Sequence, residues 1–209
     1  MHKDKTKLSF KYEYAINFAY FFVVPKTFVW LILFKKLYLF VLGDFMIILG
    51  IDPGLAIVGF GVIDKGKYKT EVIDYGVITT PKEDTLPIRL EKIYNGMCAL
   101  IDKYQPEHVA LEELFFNTNI TTGISVAEAR GVILLACIHK KLKLYEYTPL
   151  QIKQALTSNG RADKQQVQFM VKAILNLKSI PRPDDAADGL AVALTHSQTN
   201  LLLSGTDIR

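Results

Sequence analysis

Short apolar runs alternate with longer stretches of helical spacing from residue 46 onward, and this order indicates an α/β fold. Five such runs, bounded by turn residues such as Pro53-Gly54, are predicted to be strands. They cover residues 47–52, 59–63, 70–79, 108–114 and 142–147. The first three follow one another without an intervening helix, which predicts an antiparallel meander.

Helical spacing of apolar residues predicts the remaining elements. The predicted helices cover residues 87–104, 123–140, a segment that starts at Pro149, 163–177 and 184–196. Thr148 offers a hydroxyl N-cap to the third helix. Asp163, with Gln166 three residues on, resembles a capping box. The order of elements predicts a mixed five-stranded sheet with helices on both faces.

The first 45 residues differ from the rest of the chain in composition. They are rich in Phe, Tyr, Leu and Lys, and their longest apolar stretch, 28–34, is followed by Lys35 and Lys36. A membrane-spanning helix needs roughly 20 apolar residues and would have to place these lysines near its middle. We interpret Met46 as the true start and residues 1–45 as a mis-assigned or disordered, hydrophobic extension. A membrane-associating segment and an extra folded element are the alternatives.

The net charge of +4 lies in that extension, which contains seven lysines and three acids. Residues 46–209 contain 18 basic and 18 acidic residues, so their charge is zero. Binding of nucleic acid by this part therefore depends on local basic patches. The two cysteines, Cys98 and Cys137, lie on predicted helices without a CxxC pattern, which predicts buried free thiols and a cytoplasmic location.

Carboxylates stand at the ends of two predicted strands and on the first turn of the last helix. Asp52 ends the first strand, and Glu112 lies at the end of the apolar run of the fourth. Asp185 and Asp188, three residues apart, share one helical face. Each acid alone has an ordinary explanation as a turn former, a strand-end charge or a complement to the helix dipole. Together they predict a metal site, provided that the first and fourth strands are neighbours.

Such a cluster of carboxylates requires a compensating cation. Two like charges about 4 Å apart repel by around 4 kcal/mol at an effective dielectric near 20. Oxygen ligands without His or Cys favour Mg²⁺, or Mn²⁺ in its place, over zinc. Two such ions, roughly 3.5–4 Å apart, support phosphodiester hydrolysis by in-line attack without a covalent protein intermediate. The pattern therefore predicts a nuclease.

Four segments resemble the RuvC family of Holliday-junction resolvases, the crossover junction endodeoxyribonucleases. They are Ile48-Leu-Gly-Ile-Asp-Pro-Gly54, Ala110-Leu-Glu-Glu-Leu-Phe115, Ala127-Glu-Ala-Arg-Gly-Val132 and Asp185-Ala-Ala-Asp-Gly-Leu-Ala-Val-Ala-Leu-Thr-His196. The resemblance implies an RNase H-like nuclease domain over residues 46–198, followed by a tail at 199–209. It further implies Mg²⁺-dependent, symmetric nicking of four-way junction DNA in recombination and repair. A homodimer formed through the helix near Gly123 and handover from the RuvA–RuvB branch-migration complex are also implied.

The resemblance also implies roles for individual residues. The four catalytic acids and metal ligands would be Asp52, Glu112, Asp185 and Asp188. Phe115 matches an aromatic that meets unstacked bases at the junction centre, although the residue alone could equally be a core Phe. Lys153 and Lys164 match lysines that contact the scissile backbone, although each alone reads as a surface lysine. The adjacent acids Glu113 and Asp184 are not selected by the motifs.

Other classes of protein account for fewer of these features. An ATPase of the actin or sugar-kinase type needs a second phosphate loop and a second similar domain. A non-catalytic junction-binding module has no need of all four acids. Another RNase H-like nuclease, acting on RNA or on simple duplex, shares the carboxylate pattern and is the principal alternative. A membrane-tethered nuclease rests on residues 1–45 alone.

Overall fold

The computed structural model of the protein describes residues 45–114 and 120–199, together with Thr206 and Ile208. The predicted N-terminal extension up to residue 44 and the predicted DNA-contacting Phe115 lie outside the described residues. No helix in the described part of the chain is long and apolar enough to cross a membrane.

Five strands form one mixed sheet, as predicted. They are β1 (Met46–Asp52), β2 (Ile57–Lys65), β3 (Thr70–Thr79), β4 (His108–Glu112) and β5 (Lys143–Tyr147). The strand order is β3-β2-β1-β4-β5. The first three strands pair antiparallel, which confirms the meander, whereas β4 pairs parallel with both β1 and β5. The predicted neighbourhood of the first and fourth strands is therefore confirmed.

Five helices complete the described fold. They are α1 (Leu86–Tyr104), α2 (Ile120–His139), α3 (Pro149–Thr157), α4 (Lys164–Ile174) and α5 (Asp184–Gln198). Thr148 and Asp163 both form capping boxes, with Gln151 and Gln166 respectively, as the sequence predicted for the second. Helix α4 ends three residues before the predicted end, because Asn176 adopts a left-handed backbone conformation with φ 50°.

Helices cover both faces of the sheet, because apolar side chains alternate along buried β1. On one face, Ile48 packs in a core with residues of α3, α4 and α5. On the other, Leu49 and Ile51 pack with Ile93 of α1 and Ile133 of α2. Both cysteines are free thiols: Cys137 is buried, as predicted, whereas Cys98 is only half-buried. Burial, and then the nearby Cys98, raise the pKa of Cys137 to about 12.

Glycines let α5 lie directly on the backbone of β1 and β2. A Cβ atom at Gly59 would come within 2.0 Å of the Asp185 carbonyl oxygen, and one at Gly50 within 2.3 Å of the Gly189 oxygen. A Cβ atom at Gly189 would in turn lie 2.6 Å from the Phe60 carbonyl carbon. Since no side chain separates helix from sheet here, the position of the first turn of α5 is fixed by backbone contact.

A buried polar network joins the last turns of α5 to the sheet. Nε2 of His196 lies 2.8 Å from Nδ1 of His108. Nδ1 of His196 lies 2.7 Å from the Tyr147 hydroxyl. The His196 side chain is almost fully buried, at 1% exposure. Burial, and then the neighbouring His108, lower the pKa of His196 to about 3. The imidazole is therefore neutral in the folded protein at physiological pH.

This network predicts a loss of stability in mild acid. Unfolding returns the pKa of His196 from about 3 to 6.5, so the unfolded state binds an extra proton between these values. Stability from this residue is therefore present above pH 6.5 and falls as the pH falls below it. The free-energy advantage of the wild type over His196→Gln should shrink by about 2 kcal/mol from pH 7.5 to pH 5. Urea unfolding at both pH values measures this. An advantage that stays constant would contradict the prediction, and exposed His139→Gln provides the control.

Two residues near the C-terminus, Thr206 and Ile208, pair with the outer edge of β5. The Glu146 amide donates to the Thr206 carbonyl oxygen at 2.9 Å, and the Ile208 amide donates to the Leu144 carbonyl oxygen at 3.1 Å. The sequence predicts only a tail over residues 199–209. The two described residues of this segment are instead hydrogen bonded to the sheet.

Candidate active site

The parallel pairing of β1 and β4 places two of the predicted acids side by side. Ile51 pairs with Leu111, so Asp52 and Glu112 are the next residues of neighbouring strands, which lie about 4.8 Å apart. Asp52 is two residues beyond Gly50 and therefore points to the same face of the sheet, the face covered by α5. The chain reaches this arrangement because each acid ends a run of buried apolar residues.

Helix α5 brings the other two acids to the same place. Asp52 pairs with Gly59 of β2, and Gly59 is the residue on which the Asp185 backbone rests. One turn later, Asp188 accepts a hydrogen bond from Lys164 Nζ at 2.9 Å. The charges of Asp185 and Asp188 both act on Asp52. The four carboxylates predicted from separate parts of the sequence thus form one cluster.

Burial and mutual repulsion make these carboxylates hard to ionise. Burial, followed by the charges of Glu112, Asp188 and Asp185, raises the pKa of Asp52 to about 8. Burial and the charge of Asp188 raise the pKa of Glu112 to about 7, despite Lys153 and Lys164 nearby. Burial also raises the pKa of Asp188, against the opposing effect of Lys164. The cluster therefore needs an added cation to hold its full negative charge at neutral pH.

The two predicted lysines both lie at the cluster. Lys164 Nζ is 2.9 Å from Asp188 and 3.8 Å from Asp184. Burial acts to lower the pKa of Lys164, but the hydrogen bond to Asp188 and the negative charges of Asp188, Asp184 and Asp185 together outweigh it, so the pKa of the ammonium group is raised. Lys153 is close enough to lower the pKa of Glu112. Both cations therefore lie close enough to the acids to act on their charges.

The four acids provide the donor chemistry for a hard divalent cation. All four offer carboxylate oxygens, and no His or Cys is among the groups that act on Asp52, Glu112 or Asp188. Among the described residues, no three His, Cys, Asp or Glu side chains are already positioned as metal ligands. Binding of a cation would therefore require side-chain adjustment, including release of Asp188 from Lys164.

An arginine that the sequence analysis did not select also lies beside the acids. Arg89, on the first turn of α1, lines a cleft together with Asp185 and the turn between β1 and β2. In the sequence, Arg89 is one of several polar residues on an amphipathic helix, and no motif distinguishes it from a solvated side chain. Only the packing of α1 against this turn reveals its position.

The raised pKa of Asp52 predicts a stabilising substitution. Between pH 4 and 8, folded Asp52 holds a proton that the unfolded chain releases, so stability from this residue falls as the pH rises through that window. Asp52→Asn removes this cost. We expect its melting temperature in EDTA to exceed that of the wild type by about 5 °C at pH 8 and by less at pH 5. Asp102→Asn, at an exposed carboxylate, should show no such trend. A difference independent of pH would contradict the prediction.

Comparison with known proteins places the chain in a family. The family model described as crossover junction endodeoxyribonuclease RuvC matches residues 48–196. The crossover junction endodeoxyribonuclease RuvC of Clostridioides difficile is 54% identical over 157 residues, which cover 75% of this chain and 93% of that protein. The protein of the same name from Finegoldia magna is 57% identical over 151 residues, or 72% of this chain and 92% of that protein.

Solved structures agree with this assignment. Thermus thermophilus RuvC, in complex with a Holliday junction substrate, matches with a TM-score of 0.73 and 35% identity over 78% of this chain and 99% of that chain. The yeast mitochondrial Holliday junction resolvase Ydc2 matches with a TM-score of 0.54 at 14% identity over 75% of this chain and 81% of that chain, which shows a common fold. The family match, the curated relatives and the RNase H-like fold agree: this chain belongs to the RuvC family of crossover junction endodeoxyribonucleases.

Proposed function

We propose that this protein resolves Holliday junctions by paired, symmetric nicking of two DNA strands, in recombination and repair. The observation that carries the proposal is the convergence of four carboxylates from β1, β4 and α5, in a chain that is 54% identical over 157 residues to a crossover junction endodeoxyribonuclease. The lysines at the edge of the cluster fit a phosphodiester substrate, because they offset the repulsion between the acids and the DNA backbone.

The proposed mechanism assigns a separate task to each group. Asp52, Glu112, Asp185 and Asp188 would hold two Mg²⁺ ions, or Mn²⁺ in their place. When bound, the ions supply activation of water and neutralisation of charge at the leaving oxygen. Raised pKa values favour the protonated forms of Asp52 and Glu112, and both side chains would release these protons in order to hold the cations. Lys164 exchanges its contact with Asp188 for the DNA backbone, and Lys153 holds the same strand.

A homodimer formed through α2 would supply two such sites. Ala129, Ile133 and Ala136 of this helix are buried in the core. The opposite side presents an exposed stripe at alternating spacings of four and three residues, made up of Ile124, Glu128, Gly131, Leu135 and Ile138. A helix with apolar residues on both sides fits an isologous contact, which places two equivalent sites about a two-fold axis.

The dimer proposal predicts a monomer when the stripe becomes charged. Leu135→Glu with Ile138→Glu should halve the mass measured by light scattering and uncouple the two nicks. These residues are 48% and 59% exposed, so the substitutions should leave the fold of the monomer intact. Leu150→Glu, at an equally exposed apolar residue of α3, is the matched control. A mass unaffected by the double substitution would exclude this surface.

Family membership leads us to propose the cellular setting as well. We infer a cytoplasmic enzyme that receives junctions from the RuvA–RuvB branch-migration complex. Phe115 is proposed to contact unstacked bases at the junction centre.

Substrate choice tests the proposed function directly. The full chain is incubated with a synthetic four-way junction, a linear duplex and an RNA–DNA hybrid, each with Mg²⁺ and with EDTA. We expect paired symmetric nicks in the junction alone, and only with Mg²⁺. Cleavage of the hybrid or of the duplex would favour the alternative RNase H-like nuclease.

A further inference from the structure

A cleft opens beside the acids, on the side of β1 and β2 where α1 and α2 begin. Its volume is about 510 Å³. The walls are residues 54–57 of the β1–β2 turn, Arg89, Ser125 and Val126 of α2, and Asp185. One wall is therefore part of the acid cluster itself. The cleft leads from the cluster across the turn to the first turn of α1.

The guanidinium of Arg89 is held in this cleft by one of its nitrogens. Arg89 Nε donates to Thr80 Oγ1 at 2.8 Å, and the Thr80 hydroxyl donates to the Leu55 carbonyl oxygen at 2.6 Å. The Thr80 amide also donates to the Ala56 carbonyl oxygen at 3.0 Å. This chain of hydrogen bonds ties the arginine to the turn that follows Asp52 and limits the positions of its terminal nitrogens.

The terminal nitrogens of Arg89 have no hydrogen-bond or ion-pair partner within the described part of the chain. Two other arginines differ in this respect: Arg130 pairs with Glu146, and Arg182 pairs with Asp184. A fixed arginine fork that faces an open cleft matches the oxygens of a phosphate, which it can bind with two parallel hydrogen bonds.

The positions of the basic side chains around the acids indicate which phosphate of the DNA Arg89 would bind. Lys153 and Lys164 belong to α3 and α4, which pack with α5 on one face of the sheet. Arg89 belongs to α1, which packs on the opposite face. A strand that crosses the acids at the end of the sheet would meet lysines on one side and Arg89 on the other.

We propose that Arg89 binds a backbone phosphate of the scissile strand adjacent to the phosphate that is cut. The arginine positions the strand across the acids from the side opposite the two lysines. This inference rests on the proposed function, since it requires a DNA strand at the acid cluster.

The salt dependence of junction binding tests this inference. Arg89→Gln in the full chain should reduce the slope of log Kobs against log salt concentration by about 1, because one phosphate contact is lost. Arg89→Lys keeps the charge but loses the fork, so it should keep the slope and lower the single-turnover cleavage rate by about tenfold. Lys103→Gln removes a charge from the other end of α1, roughly 21 Å away along the helix, and should change neither quantity.

A purely structural role for Arg89 would give a different result. In that case Arg89→Gln and Thr80→Val would lower the melting temperature alike, with the salt slope at its wild-type value. If the wild type binds and cuts the junction but Arg89→Gln keeps the wild-type salt slope, the inference about Arg89 is overturned and the proposed function stands. A wild type that neither binds nor cuts the junction would overturn the proposed function, and this inference with it.

Discussion

Replacing Glu112 with glutamine is expected to reduce the rate of junction cleavage by roughly a thousandfold or more, with junction binding retained. Glutamine keeps the shape of the side chain but removes one of the charges that hold the proposed cations. Binding should persist, because the lysines remain and the repulsion between the site and the phosphates falls. Asp185→Asn should behave in the same way.

The chain provides a matched control for this experiment. Glu113 is the next residue along, and its backbone amide donates to the Tyr147 carbonyl oxygen. Adjacent residues of an extended segment point in opposite directions, so Glu113→Gln should cleave at nearly the wild-type rate. Single-turnover cleavage and a binding assay in Ca²⁺ separate the two quantities. Loss of binding in Glu112→Gln, or equal loss of cleavage in both variants, would show that the acids serve the fold instead.

Replacing Gly59 with alanine is expected to have the largest effect of any single added methyl group. The new Cβ would lie 2.0 Å from the Asp185 carbonyl oxygen, a backbone atom that no side-chain rotation can move aside. Helix α5 would have to lift from the sheet, at a cost of about 3 kcal/mol in the free energy of unfolding. This movement of α5 would also shift Asp185 and Asp188 by about 1 Å, which would lower the rate of cleavage by about a hundredfold.

Gly131→Ala is the control for this substitution, and because Gly131 lies on the proposed dimer stripe of α2, the two free energies are compared in the monomeric Leu135→Glu/Ile138→Glu background. Gly131 lies in the interior of α2, and a Cβ there has no neighbour within 4 Å among the described atoms. Alanine should therefore stabilise the helix by about 0.5–1 kcal/mol. Chemical denaturation of both variants gives the two free energies. A Gly59→Ala variant as stable and as active as the wild type would mean that α5 is not held by this contact.

The sequence was sufficient to predict the sheet and the two acids at its strand ends because both depend on local patterns. Buried strands read as apolar runs, and Asp52 and Glu112 stand where those runs end. Strand ends were less well predicted: β2 continues to Lys65, beyond the predicted end at residue 63, because polar side chains are tolerated where a strand leaves the core. The acids of α5 join the cluster through the contact with Gly59, which no local pattern reveals.

Residues whose position depends on tertiary packing were missed or stay predictions. Arg89 reaches the acids only because α1 begins beside the β1–β2 turn, and the sequence places these segments some 30 residues apart. The predicted roles of Lys153 and Lys164 gain support from their positions beside Glu112 and Asp188. The predicted role of Phe115 in contacting DNA stays a prediction.

The pairing of Thr206 and Ile208 with β5 has a consequence for how this protein behaves at high concentration. β5 is the last strand of the sheet, and an uncovered last strand offers its amides and carbonyls to a strand of another molecule. Thr206 and Ile208 occupy two of these positions. Thr206 and Ile208 thus act against intermolecular strand pairing at this edge, although they lie far in sequence from the strands that end in Asp52 and Glu112.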